Sequence, residues 1–280
     1  MLSVGLGHSR DMLWCTEGGH GDGPTLLLLH GLSGTAELWS GVIGETPRWP
    51  GRWLAVDLAG HGRSPRLANY SLGNHAAAVA ETLRPLATGP LVALGHSLGG
   101  VVGLALATGW FGVDVVAAVG LGMKCAWGDD DFASMAILRA KGSRTFATAA
   151  EAAERFVANA GLRGLIEPAD PRSQAGIREV GTGWELAHDP ASFPDWVPPT
   201  AELIRLSAGP VVLAVGAQDA MVTASELSAL VPGTPVEVLA GAGHNAQVEA
   251  PAATLDLALA ALARRAAPAG NAHIGPAAAD

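Results

Sequence analysis

Short apolar runs alternate with stretches of helical spacing along most of this chain. Several of the runs are apolar at every position, which is typical of strands buried on both faces of a parallel sheet. The runs predict strands at 11–17, 25–30, 52–58, 90–95, 113–122, 210–216 and 235–241, and the intervening spacing predicts helices at 71–87, 97–108, 223–231 and 246–265. The pattern therefore predicts an α/β fold with a mostly parallel sheet covered by helices on both faces.

The pattern changes between residues 124 and 205. Strand-like runs vanish there, and helical stretches at 132–140, 147–160 and 172–179 alternate with turns that contain proline and glycine. We therefore expect a core formed by 1–123 and 206–266, with 124–205 inserted as a helical cap. The last residues, 267–280, are rich in alanine, proline and glycine, and this composition predicts a disordered tail.

Composition limits the partners of this protein. The chain has 280 residues, of which 49% are hydrophobic, enough for one large domain with a sizeable core. A net charge of −9 argues against nucleic acid or an anionic membrane surface as a partner. The N-terminus lacks the pattern of a signal peptide, and no apolar stretch is an uninterrupted membrane span, so we expect a cytoplasmic protein with a small-molecule substrate. Cys15 and Cys125 carry no metal or redox spacing and are expected to be idle thiols.

One serine interrupts the apolar pattern in the segment "LVALGHSLGGVVGLAL". Ser97 is the centre of a G-x-S-x-G motif, with a predicted strand before it and a predicted helix after it. A sharp strand-to-helix turn exposes its central side chain and requires small residues two positions away on either side, where Gly95 and Gly99 stand. The motif in this context predicts that Ser97 is a nucleophile.

A serine hydroxyl needs a base, and the base needs a carboxylate that orients it. His244 follows the last predicted strand and is the expected base, and Asp219 follows the strand before it and is the expected acid. His30, His61 and His96 lie in glycine-rich turns near the same sheet edge and compete with His244, whereas His188 lies in the insert. The acidic run 129–131 supplies the alternative carboxylates. No pair of histidines has metal-site spacing, and neither a metal nor an organic cofactor is expected.

The backbone also predicts an oxyanion hole, the pair of N–H donors that stabilises the charged intermediate of acyl transfer. His30 and Gly31 end a strand in "LLLLHGLSG", so the N–H of Leu32 can point at the site together with the N–H of Leu98.

These segments resemble the α/β-hydrolase family. The likeness covers roughly residues 10–123 and 205–265, and the matching pieces, in family order, are "HGLSG", "DLAGHGRS", "GHSLGG", "VGAQD" and "GAGHNAQVEAP". The resemblance implies an eight-stranded, mostly parallel sheet with 124–205 as its cap. It also implies that "DLAGHGRS" is a structural turn without chemistry.

The expected activity is hydrolysis of a small, largely apolar ester, thioester or lactone through an acyl-enzyme on Ser97. Three alternatives stay open: a cofactor-free perhydrolase or haloperoxidase-like enzyme, a carbon–carbon bond hydrolase, and a ligand-binding protein without catalysis. The expected apolar pocket wall consists of Met123, Trp127, Phe132, Met135, Trp184, Trp196 and Met221. Because no basic cluster is evident near these segments, strongly anionic substrates are not expected, although Lys124 or Arg139 could bind a carboxylate.

Overall fold

A computed structural model describes residues 12–86 and 89–266. Within them the chain forms nine strands, which are β1 Cys15–Gly19, β2 Gly23–Leu29, β3 Gly51–Val56, β4 Leu91–His96, β5 Val115–Leu121, β6 Ile177–Val180, β7 Gly183–Leu186, β8 Val211–Gly216 and β9 Val236–Leu239. Seven of them form one sheet in the order β1-β3-β2-β4-β5-β8-β9, and β6 pairs only with β7.

The large sheet is mostly parallel, as the apolar runs predicted. Only β1 runs antiparallel to its neighbour β3, and the other pairs in this sheet are parallel. The described residues supply seven strands to this sheet, where the family resemblance implied eight. The predicted strand at 11–17 is shifted toward the C-terminus, to Cys15–Gly19, and residues 1–11 lie outside the described part of the chain.

Helices cover both faces of this sheet. The α-helices are α1 Ser40–Glu45, α2 Leu72–Leu83, α3 Leu98–Ala107, α4 Asp129–Lys141, α5 Ala149–Asn159, α6 Pro171–Gln174, α7 Thr200–Leu206, α8 Ala224–Leu230, α9 Ala246–Glu249 and α10 Pro251–Ala266. One apolar layer lies between the sheet and α2, α3, α7 and α8, and the other lies between the sheet and α1 and α10.

The strand β2 shows why the buried runs are apolar at every position. Leu27 and Leu29 pack into the first layer, whereas Leu26 and Leu28 pack into the second, and all four side chains are fully buried. Because successive side chains of a strand point to opposite faces, a strand between two helical layers needs apolar residues on both.

The insert contains a hairpin that the sequence pattern missed. The predicted helix at 172–179 is wrong beyond Gln174, because Ile177–Val180 is a strand that pairs antiparallel with Gly183–Leu186. Ile177 packs with Phe156 of α5 in a third apolar cluster, separate from the two layers of the sheet. The hairpin therefore contributes to a small core within the insert, whereas α7 packs into the first layer of the main core.

Cys15 and Cys125 are both free thiols. Among the described helices, none combines the length and the apolar composition that crossing a bilayer requires. The tail 267–280, for which disorder was expected, lies outside the described residues.

Candidate active site

Ser97 lies at the turn between β4 and α3 with an unusual backbone conformation. Its φ of 49° and ψ of −116° are rare for a residue with a side chain, and its N–H donates a hydrogen bond to the carbonyl oxygen of Leu121 at 2.8 Å. A Cβ atom on Gly95 would overlap the carbonyl of Gly99, and a Cβ atom on Gly99 would overlap the carbonyl of Leu29. The two glycines of the motif therefore permit the close packing that this strained turn requires.

His244 and Asp219 form a hydrogen-bonded pair beside this turn. His244 Nδ1 lies 2.9 Å from Asp219 Oδ2; the Asp219 side chain is fully buried, and the His244 side chain is 20% exposed. The other carboxylate oxygen accepts hydrogen bonds from the backbone N–H groups of Met221 and Val222. These contacts fix the carboxylate, and through it the orientation of the imidazole.

The environment of Asp219 favours its charged form. Burial by itself raises the pKa of the carboxyl group, but hydrogen bonds from His244, Met221 and Val222 outweigh it, and the pKa is lowered from its usual value. An ionised carboxylate at this position holds the proton of His244 on Nδ1, which leaves Nε2 able to accept another proton.

The competing histidines are each engaged elsewhere in the fold. His30 accepts a hydrogen bond from the N–H of Leu58, and His61 accepts one from the N–H of Ser33. His188 lies within hydrogen-bond distance of the hydroxyl groups of Ser33 and Ser192.

The lowered pKa values of these histidines distinguish them from a general base. Burial lowers the pKa of His30, lowers that of His61 well below its usual value, and lowers that of His188 to about 4. The rings of His61 and His188 stack with centroids 4.5 Å apart. These residues form a buried, neutral cluster that braces the loop following β2.

His96 belongs to a chain of buried polar groups. Its Nε2 donates to the carbonyl oxygen of His244 at 2.9 Å, and its Nδ1 faces the amide nitrogen of Gln247 at 3.4 Å. Gln247 in turn donates to Asn245, whose own amide donates to the carbonyls of Ala160 and Gly161 in the insert. The chain connects the turn at Ser97, the loop of His244 and the end of α5, a link that the sequence pattern did not predict.

Two backbone N–H groups near Ser97 are free to bind an anion. Within residues 12–86 and 89–266, neither Leu32 nor Leu98 donates its N–H to a protein acceptor. Leu98 is the first residue of α3, so its N–H lies at the positive end of that helix. Both residues line the same cavity as Ser97.

That cavity has a volume of about 330 Å³ and lies between the sheet edge and the insert. Ser97 and His244 line it together with four of the apolar residues expected in the pocket, which are Trp127, Met135, Trp196 and Met221. Several other residues of its wall were not predicted from the sequence, among them Leu38, Leu138, Asn159, Phe193 and Asn245.

The prediction that Met123, Phe132 and Trp184 belong to the pocket wall is wrong, because none of them lines this cavity. Met123 is fully buried beneath the turn, where it fills the space beside Gly100 and Gly120. Phe132 stacks against Trp127, with ring centroids 5.8 Å apart. Trp184 pairs with Phe146 through the backbone and packs on the small core of the insert.

The two cations expected near the pocket are paired with acids. Lys124 lines the cavity but contacts Asp131 at 2.9 Å, and Asp131 lines it as well. Arg139 donates to the carbonyl oxygen of Phe193, pairs with Asp195, and does not line the cavity.

The segment "DLAGHGRS" forms a structural turn. Asp57 is fully buried, and its carboxylate accepts hydrogen bonds from the backbone N–H groups of Ala36 and Arg63. Asp57 thereby connects the segment after β3 to the short 3-10 helix Ala36–Trp39. It does not line the cavity that contains Ser97.

Sequence comparison identifies the family. A sequence model described as the alpha/beta hydrolase family matches residues 26–257. Lipase LipV of Mycobacterium tuberculosis is 37% identical over 82 residues, which are 29% of this chain and 31% of the lipase. A 2-succinyl-6-hydroxy-2,4-cyclohexadiene-1-carboxylate synthase of Serratia proteamaculans is 35% identical over 86 residues, 31% of this chain and 33% of the synthase. The chain thus spans about a third of the length of these curated relatives.

Solved structures share the fold over most of their length. An E-2-(acetamidomethylene)succinate hydrolase superposes with a TM-score of 0.74 at 23% identity, covering 90% of this chain and 95% of the other. An esterase of Mycobacterium tuberculosis superposes with a TM-score of 0.72 at 23% identity, covering 94% of this chain and 90% of the esterase. At this level of identity the likeness shows the fold alone.

Proposed function

The chain belongs to the alpha/beta hydrolase family, and from that premise we propose that it is a serine hydrolase of small, largely apolar esters, thioesters or lactones. The observation that carries the proposal is the position of Ser97. It lies on a strained turn and opens into a cavity that His244 also lines, and His244 is hydrogen-bonded to the buried Asp219.

The proposed reaction begins with attack of Ser97 Oγ on the carbonyl carbon of the substrate. His244 Nε2 takes the hydroxyl proton, and Asp219 stabilises the resulting imidazolium. The negative charge moves onto the carbonyl oxygen, where the N–H groups of Leu32 and Leu98 are proposed to bind it. Loss of one such donor typically raises the barrier by about 2.7–4 kcal/mol.

Collapse of this intermediate breaks the bond to the leaving group, which takes the proton from His244. Water then attacks the acyl-enzyme while His244 accepts its proton, and return of that proton to Ser97 Oγ releases the acid. Every proton is returned in the cycle, so the proposed reaction consumes only the substrate and one water molecule.

We also propose that the insert, residues 124–205, acts as a cap that selects the substrate. Trp127, Met135 and Trp196 belong to it and line the cavity over Ser97. Their apolar rings and the thioether favour an uncharged acyl chain next to the scissile bond. The name of one sequence relative, a lipase that is 37% identical over 82 residues, supports ester-type chemistry.

Labelling with a fluorophosphonate probe, combined with hydrolysis of p-nitrophenyl butyrate, tests the proposal. We expect the wild type to hydrolyse the ester and to carry the probe on the peptide that contains Ser97. Ser97→Ala should lose both properties, whereas Ser228→Ala, on the exposed face of α8, should keep both. Equal hydrolysis by wild type and Ser97→Ala would contradict the mechanism, and tight ligand binding without turnover would favour a binding protein.

A further inference from the structure

The lysines and arginines of this acidic protein are unevenly paired. Most of them make ion pairs with carboxylates. Those that pair with no carboxylate in the described part of the chain are Lys141, Arg144, Arg155, Arg163 and Arg265. All of these except Arg265 belong to the insert, so the free positive charge is concentrated in one part of a chain whose net charge is −9.

Three of these cations line one cleft, which we call the basic cleft. It has a volume of about 640 Å³ and is lined by Leu138, Lys141, Gly142, Ser143, Arg144, Phe146, Arg155, Asn159, Leu186, His188, Pro190 and Phe193. No aspartate or glutamate is among these residues. Two acids of α5, Glu151 and Glu154, line a neighbouring depression, which shares Arg144, Phe146 and Arg155 with the basic cleft and also includes Arg163.

The basic cleft adjoins the cavity over Ser97. Leu138, Asn159 and Phe193 contribute to the walls of both. The two cavities are therefore neighbours, and a substrate chain that passes from Ser97 along these three residues would place its far end among the cations.

The chemistry of the basic cleft matches an anion. The guanidinium of Arg144 lies 4.9 Å from the centroid of the Phe146 ring, a contact that orients its planar fork. Arginine forks bind carboxylate and phosphate oxygens through paired hydrogen bonds, and Ser143 adds a hydroxyl group to the wall. Burial lowers the pKa of His188 to about 4, so the positive charge comes from Lys141, Arg144 and Arg155.

We propose that the basic cleft binds a carboxylate or phosphate at the far end of the substrate whose acyl group reacts at Ser97. This proposal rests on the proposed function, which supplies the reaction at Ser97. It corrects the expectation that no basic cluster lies near the pocket: Lys141 ends α4, Arg144 follows it, Arg155 lies on α5, and only the fold brings them together.

Calorimetric titration of Ser97→Ala tests binding without turnover. One pair of ligands compares monoethyl adipate, which carries a carboxylate, with neutral diethyl adipate. The second pair compares butyryl-coenzyme A, which carries phosphates, with neutral S-butyryl-N-acetylcysteamine. We expect the anionic member of at least one pair to bind about tenfold or more tightly than its neutral partner, and added salt should reduce this advantage.

Charge-neutralising variants locate the effect. Arg144→Gln and Arg155→Gln, singly and together in the Ser97→Ala background, should remove the advantage of the anionic ligand and leave the neutral ligand unaffected. Arg265→Gln is the matched control, because Arg265 is also exposed and unpaired within the described residues but lies on α10. The proposal is overturned if both anionic ligands bind no better than their neutral partners, or if Arg265→Gln abolishes the advantage equally.

Turnover is measured separately on wild type with neutral p-nitrophenyl butyrate. Charge-dependent binding without hydrolysis of this ester would refute the proposed reaction and leave the anion site in place. Hydrolysis of the neutral ester without charge-dependent binding would refute the anion site alone.

Discussion

His96 donates a hydrogen bond from Nε2 to the backbone carbonyl of His244, 2.9 Å away. The residue before the candidate nucleophile thus holds the loop that carries the candidate base. Burial lowers the pKa of His96 well below its usual value, and the neighbouring His244 adds to the effect. His96 therefore stays neutral, with one nitrogen donating to His244 and the other facing the amide of Gln247.

The hydrogen bond between Asp219 and His244 predicts a large effect of Asp219→Asn on catalysis. An amide at this position no longer favours the tautomer of His244 that can accept the serine proton, so we expect kcat to fall about 10³–10⁴-fold. Steady-state hydrolysis of p-nitrophenyl butyrate measures the loss. Asp114→Asn, an exposed site beyond α3, should keep wild-type kcat, and an Asp219→Asn enzyme within tenfold of wild type would refute the assignment.

The packing around the turn predicts that Gly99→Ala destabilises the protein. The added methyl group would overlap the carbonyl of Leu29, so β2 and α3 would have to separate. Overpacking of this kind costs about 1–3 kcal/mol. The same substitution at Gly73 in α2 is a matched control. Apart from its chain neighbours and the backbone of its own helix, a Cβ atom added there would meet no atom closer than Ser71 Oγ at 3.9 Å.

Gly73→Ala should stabilise the protein by about 0.4–1 kcal/mol through the lower entropy of the unfolded chain. Urea unfolding of both variants gives the two free energies. Similar midpoints for Gly99→Ala and wild type would show that the turn tolerates a side chain.

The central fold was predictable because the residues that determine each of its elements lie close together in the sequence. Each buried strand carries its own apolar run, and the turn at Ser97 carries its glycines at fixed spacing. Asp219 and His244 follow the ends of β8 and β9, and the ends of parallel strands meet at one sheet edge.

The pocket wall was harder to predict because it depends on packing between distant segments. Met123 is as apolar as Met135, yet it fills the space beside Gly100 and Gly120 and never reaches the cavity. The hairpin did carry a local signal: two short runs, 177–180 and 183–186, are separated by a Gly-Thr pair, the spacing of a two-residue hairpin loop.

A buried histidine predicts that the protein loses stability in mild acid. His75 is 1% exposed, neither ring nitrogen has a hydrogen-bond partner, and burial lowers its pKa to about 4. The unfolded chain takes up the proton near pH 6.5 and the folded protein near pH 4. The stabilising contribution is therefore complete above pH 6.5 and is lost as the pH falls toward 4, by about 2 kcal/mol between pH 7 and pH 5.

His75→Leu removes this proton uptake, so its free energy of unfolding should fall less between pH 7 and pH 5 than that of wild type. Urea unfolding at the two pH values measures the difference. His20→Leu, at an exposed turn position, serves as the control and should follow wild type. Identical pH dependence of His75→Leu and wild type would mean that His75 does not contribute.

The hydrogen bonds of Asn245 predict that substitutions at this position destabilise the protein. Its side-chain amide donates to two carbonyl oxygens at the end of α5. Asn245 itself is 2% exposed, and its two hydrogen bonds to these carbonyls are partly buried, so loss of the donor removes two bonds that are each worth about 0.5–1.5 kcal/mol. Asn245→Asp keeps the shape but places a carboxylate against the carbonyls of Ala160 and Gly161. We expect it to destabilise the protein at least as much as Asn245→Ala does.

Asn74→Asp is the matched control for this change. Asn74 also donates through its amide, to Asn69, but it is exposed in the first turn of α2, where a negative charge is favourable. Its urea midpoint should equal or exceed that of wild type. Hydrogen exchange of Asn245→Asp should increase at residues 157–162, because the lost bonds connect that segment to the loop of His244. Unchanged exchange there, with a wild-type midpoint, would show that the insert is held in place without Asn245.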